Sequence, residues 1–78
     1  MDKDHFQKRK MEIADNIHWA RRKKGWTQKR LSEEIGFISR QKLYRIEKGT
    51  VDLTICELET LADMLDVSLN DLIDPRPY

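Results

Sequence analysis

Apolar residues return at helical spacing through most of this chain and stop at a few clear punctuation marks. From about Asp4 to Lys24, the residues Phe6, Ile13, Ile17 and Ala20 share one face, while Lys8, Lys10, Arg22 and Lys23 are left to solvent. That pattern predicts one helix ending at Gly25. Thr27 is placed to cap a second helix, in which Leu31 and Ile35 lie four apart on one face. Gly36 breaks it, because glycine tolerates the left-handed conformation in which helices commonly end. Ser39 caps a third helix, with Leu43 and Ile46 marking its buried edge. After the short polar loop from Lys48 to Asp52, Thr54 and Glu57 form a capping box for a helix running to about Leu65. Ser68 and Asp71 resemble a second box. The final Pro-Arg-Pro-Tyr cannot continue a helix and reads as a tail. The predicted class is all-α, with five helices.

The third helix carries an unusual polar load: Arg40, Gln41, Lys42, Tyr44 and Arg45. A helix N-terminus is partially positive, so Arg40 and Lys42 sit where an exposed cation costs up to about 1 kcal/mol. The cost makes sense if an external polyanion supplies the missing negative charge. Arg and Gln are also the side chains that pair with guanine and adenine in a major groove. The net charge of +1 conceals a division of the same sign: residues 1–48 hold 14 Lys and Arg against 7 Asp and Glu, whereas residues 49–78 hold 1 against 7. Such asymmetry marks a polyanion-binding side with an opposite side turned away. The other reading, two complementary halves that attract each other across the fold, is compatible with the first.

Seventy-eight residues make one small domain with a single core and no enclosed active site. One cysteine, Cys56, excludes an internal disulfide, and no apolar run approaches the roughly 20 residues of a membrane span. The charged start resembles no signal peptide, so a cytoplasmic location is expected. Catalytic chemistry has little to work with. His5 and His18 are far apart, Cys56 has no His or Cys nearby, and neither a glycine-rich phosphate loop nor a metal-ligand spacing occurs. Glu33 and Glu34 are adjacent and do not face each other on a helix. No enzyme activity, cofactor or metal is expected; His18 reads as a surface histidine and Cys56 as a small core or near-surface residue.

Ile17 and Arg21 are followed by Gly25, Trp26, Thr27 and Gln28, and then by Leu43, Arg45, Ile46, Glu47 and Gly49. In these residues the chain resembles the Cro and phage-repressor type of helix-turn-helix regulators. Leu58, Leu61, Ala62, Leu65, Val67 and Leu72 stand at the apolar positions of the family's last two helices. The resemblance covers about residues 12–73, leaving residues 1–11 as a basic N-terminal extension and 74–78 as a tail. It implies a five-helix, lambda-repressor-like DNA-binding domain and a sequence-specific regulator of double-stranded DNA, with a recognition helix at about Arg40–Glu47 in the major groove. Arg40, Gln41 and Arg45 would reach bases. Gln28 would hold a phosphate with help from its helix N-terminus, Lys48 and Thr50 would meet the backbone, and Lys42 and Tyr44 are open to either role. The resemblance further implies a buried ion pair between Arg21 and Glu47.

A monomer this small places one recognition helix, so a homodimer on an inverted repeat is expected, through Leu69, Leu72, Ile73 and Leu53. The other reading is a protein-interaction module that uses the same fold with weak DNA binding. Three departures from the family pattern stand out. Two residues, Phe37 and Ile38, occupy a turn that usually holds one apolar residue; either Ile38 fills the core and the turn loosens, or the second helix runs one residue further. Leu53 stands where a proline is frequent, and Asp66 replaces a glycine in a left-handed position. Residues 1–11 are open to three readings: a frayed tail, a helix extension or a DNA-contacting arm. Trp26 is expected between the first two helices, and Trp19 half-exposed.

Overall fold

The computed structural model describes residues 3–75. Among them five helices follow in order: α1 (Lys3–Lys24), α2 (Gln28–Ile35), α3 (Arg40–Lys48), α4 (Ile55–Met64) and α5 (Leu69–Ile73), with no strand. α1 packs across α3 and α5, and α2 and α5 close against α4. At about 1.5 Å per residue α1 runs some 33 Å, which sets the 35 Å long dimension of the molecule. Residues 3–11 are continuous with this helix; residues 1–2 and 76–78, the ends of the expected extension and tail, lie outside the described residues.

The helix starts are built by their own sequences. The side chains of Thr27, Ser39, Thr54 and Ser68 accept from the backbone N–H of Arg30, Lys42, Glu57 and Asp71 respectively. Each such cap is worth about 1 kcal/mol. At Thr54 and Ser68 the box is reciprocal, with Glu57 and Asp71 reaching back to the cap.

The turn between α2 and α3 takes the first of the two expected forms. α2 stops at Ile35, Gly36 turns at φ +86°, and the Ser32 hydroxyl donates to the Ile38 carbonyl at 2.7 Å. Ile38 is 1 % exposed and joins the core, whereas Phe37 is 62 % exposed. Asp66 is left-handed at φ 57°, and Lys24 donates to its carboxylate and to the Met64 carbonyl beside it, so α1 braces the strained link.

Ile17, Leu31, Ile38, Leu43, Ile46, Leu61 and Leu72 form the fully buried centre. Two of the sequence expectations fail here. Phe6 does not join the core face of α1; it is largely exposed, with the Lys10 ammonium over its ring. Leu72 has no exposed surface, so it is a core residue and has nothing to give a dimer interface. Its carbonyl is held as well: the buried Asn16 amide donates to Leu72 and Asp74, and Arg9 donates to Ile73, so α1 caps the end of α5.

Candidate nucleic-acid interface

α3 leans on the core through Leu43 and Ile46 and turns its other side out. Arg40, Gln41, Tyr44 and Arg45 lie on that side, and with Gln28 at the first turn of α2 they line one open hollow. Neither α2 nor α3 has an acidic residue in its first turn. Among the described residues, the side chains of Arg40, Gln41 and Arg45 make no ion pair or hydrogen bond, so their donors are free for a ligand. Beside the hollow runs a broader cleft between α1, α2 and α3, bordered by Gln28, Lys29, Arg40 and Lys48. The two hollows meet at Gln28, Arg40 and Tyr44, and the cleft also carries the carboxylates of Asp15 and Glu47.

The floor of the cleft is a charged cluster that fixes α3 to α1. Arg21 Nε donates to Glu47 Oε2 at 2.8 Å and its Nη2 to Oε1 at 2.9 Å, a bidentate pair with both side chains under a tenth exposed. Arg21 Nη1 also donates to the Trp26 carbonyl at 2.8 Å, which ties in the start of the helix-turn-helix. His18 Nδ1 lies 2.9 Å from Glu47 Oε1. Burial pushes the Glu47 carboxyl up; the hydrogen bonds from Arg21 and His18 more than offset this and hold it below its usual value.

His18 is therefore not the free surface residue expected of it. It is half-buried against Glu47, with its ring edge-on to Trp19. A signal was present in the sequence, because His18 and Arg21 are three apart and share a helix face. Lys42 also differs from expectation. Its ammonium turns away from the hollow to pair with Glu57 on α4, and that hydrogen bond, with the one from the Thr54 N–H, holds the Glu57 carboxyl below its usual value. The misplaced charge at the start of α3 is thus half neutralised from within, leaving Arg40.

Lys48 is exposed, with its ammonium 5.4 Å from the Tyr44 ring centroid. The loop after it offers less than its sequence suggests. The Gly49 and Thr50 N–H groups donate to the Ile46 and Arg45 carbonyls, and the Thr50 hydroxyl donates to Arg45 as well. The Lys48 ammonium remains for an external anion, whereas the Thr50 oxygen can now only accept. Trp26 packs on the core edge between the cations of Lys24 and Arg30. Trp19 is 52 % exposed, and Cys56 lies on the surface. Leu53, Leu69 and Ile73 are partly buried against the core. No helix among the described residues is long and apolar enough to cross a membrane.

No curated protein and no solved structure matches the chain. A family model of the helix-turn-helix matches residues 17–72, from the buried face of α1 to the end of α5. The match takes in the capped α2, the turn at Gly36, the outward-facing α3 and the Arg21–Glu47 pair beneath it, and the chain belongs to the helix-turn-helix family of Cro and phage-repressor type, DNA-binding regulators.

Proposed function

We propose that the protein is a cytoplasmic, sequence-specific transcriptional regulator that binds an inverted-repeat operator as a homodimer, with α3 in the major groove. The observation that carries this reading is the exposed face of α3, where Arg40, Gln41 and Arg45 stand beside the start of α2 with no ion pair or hydrogen bond from their side chains among the described residues. Arg40, Gln41 and Arg45 read base edges. Gln28 and Lys48 hold the backbone, with the first N–H groups of α2 adding a partial positive charge for a phosphate; Thr50, whose N–H and hydroxyl both donate to the Arg45 carbonyl, has no donor left for one. Tyr44 lies between the two sets and serves both groove wall and backbone. Leu53, Leu69 and Ile73 supply the dimer contact.

The test is the pattern across variants. Arg45→Ala and Gln41→Ala should each lose about 1–3 kcal/mol on the cognate duplex and relax preference at one position, because bidentate base contacts carry discrimination. Lys48→Ala should weaken all sequences alike and lower the salt slope by about one unit. Gln28→Ala should weaken all sequences with little change in slope. Lys42→Ala, whose ammonium belongs to Glu57, should lower stability more than affinity. Uniform losses from Arg45→Ala and Gln41→Ala across all duplexes would remove α3 from base readout.

A further inference from the structure

We propose that a recess between the first turns of α1 and the loop after α3 is a binding site for a small amphipathic monocarboxylate, its aliphatic chain in the recess and its carboxylate on the Lys10 ammonium. The inference stands apart from the DNA-binding reading. It starts from Phe6, which shares a helix face with Ile13, Ile17 and Ala20 and yet is nearly half exposed. The start of α1 has too little core beneath it, and a recess of about 390 Å³ is left there. Ala14, Ile46 and Leu58, all buried, make its deepest lining; α1 adds Phe6 and Ile13, and the loop adds Val51 and Leu53. A concave apolar space of this size with few polar groups is the form that small-molecule sites take. The family match begins at residue 17, so the wall that α1 supplies lies outside it.

Three charged side chains border the recess, and they differ in what they can offer. Arg9 is committed, because its guanidinium pairs with Glu12 and donates to the Ile73 carbonyl. The Asp52 side chain is 75 % exposed, so its carboxylate stays hydrated. The Lys10 side chain is only 22 % exposed, and its ammonium lies 3.4 Å from Asp52 Oδ1 and 5.6 Å from the centre of the Phe6 ring. An ammonium has three donors, and a well-hydrated carboxylate holds it weakly. Lys10 thus puts an available cation at the edge of an apolar recess, which is the complement of a carboxylate on an aliphatic chain. An amine on the same chain would meet like charge.

A second copy of the chain fits this space less well. A two-fold contact centred on it sets recess against recess and leaves both unfilled. The site also lies clear of the recognition side: none of its residues borders the hollow or the cleft there, and α3 reaches it through Ile46 on its buried edge. A carboxylate bound here leaves Arg40, Gln41 and Arg45 uncovered.

Titration of the full chain at neutral pH with octanoate, octanol and octylamine, read from the methyl resonances of the protein, tests the site. Octanoate should shift the methyl groups of Ile13, Val51, Leu53 and Leu58, leave those of Leu31 and Ile35 in place, and bind with a Kd of about a millimolar or below. Octanol should bind about tenfold more weakly and octylamine more weakly still, since only the carboxylate gains a charge-assisted bond. Hexanoate should lose about fourfold for each methylene removed. Lys10→Met should bring octanoate down to the affinity of octanol, and Lys10→Arg should restore the difference. In wild type alone, octanoate shifts that spare those four residues, or an affinity no better than that of octylamine, would overturn the inference. Leu53 belongs to the proposed dimer contact as well, so sedimentation is run alongside. The same methyl shifts on raising the protein concentration without ligand, with octanoate reversing the association, would give the recess to a second copy and overturn the inference. Sequence-selective DNA binding without octanoate binding would remove the inference alone, and octanoate binding by a chain that binds no duplex would remove the DNA-binding reading alone.

Discussion

Glu47 does two things with one carboxylate: it neutralises Arg21 inside the fold and fixes the ring of His18 at the edge of the cleft. Removing one partner of a buried pair leaves the other charge desolvated, at a cost of about 3–5 kcal/mol. For a domain whose whole stability lies within about 4–12 kcal/mol, Arg21→Ala should shift the urea midpoint far downward or prevent folding. A midpoint within experimental error of wild type would contradict the burial argument. The same residue sets an acid limit. Glu47 and Glu57 both have folded-state values below their usual ones. Their contribution is complete above the unfolded value of about 4.3 and is lost as pH falls through the folded values. Stability should therefore hold near neutrality and fall below about pH 4, with a shallower fall in Glu57→Gln; a rise in stability on acidification over that range would contradict the direction of both shifts.

At the scale of the element, α3 is positioned by its two ends. Gly36 and Gly49 both have positive φ, but a side chain at Gly36 would meet nothing, whereas one at Gly49 would run into the Met11 side chain of α1. Alanine in a left-handed position costs about 1–2 kcal/mol. Thermal unfolding should show Gly36→Ala destabilised by that amount and Gly49→Ala by more, with Met11→Ala recovering part of the loss only beside Gly49→Ala. Equal losses at the two glycines, with no recovery, would mean that Met11 yields freely.

The ends of these helices were legible in the sequence because a cap is a local device, completed within three residues. The same holds for the turn, where Ile38 is the apolar residue that can reach the core and Phe37 is left outside. Partners distant in sequence were not legible from spacing; the Arg21–Glu47 pair, 26 positions apart, was reached through the family resemblance alone. His18 meets Glu47 29 positions away, Asn16 meets the end of α5 56 positions away, and Lys42 is drawn from the hollow by Glu57 on another helix. Leu72 was misjudged for a related reason: an apolar residue in a last helix suits a core and an interface equally until the packing of α1 over α5 is known. Arg40, like Lys42, stood out because a cation there contradicts what folding alone would select at a helix start; Gln41 and Arg45, the latter in the last turn of α3, stood out as side chain types that pair with bases.

For the whole molecule, the charge of the chain is uneven, +7 over residues 1–48 and −6 over 49–78, so α1 to α3 are basic and the remainder acidic. Part of the attraction between the halves is realised inside the fold, where Lys10 meets Asp52, Lys24 meets Asp66 and Lys42 meets Glu57. Among the described residues, Lys29, Arg40, Arg45 and Lys48 are left without an ion pair on α2, α3 and the cleft between them, as are Lys8, Arg22 and Lys23 along α1. One recognition helix gives little surface for operator-level affinity, so sedimentation should show a dimer at tens of micromolar or on DNA, weakened by Leu69→Lys; a monomer under both conditions would contradict the two-fold arrangement. The most direct measurement is the affinity of wild-type protein for a duplex selected from a random pool against a scrambled duplex of equal length, at low and physiological salt. The proposed base readout predicts a preference of at least about a thousandfold for the selected duplex, retained as salt rises. Equal affinity for the two, vanishing at physiological salt, would contradict it.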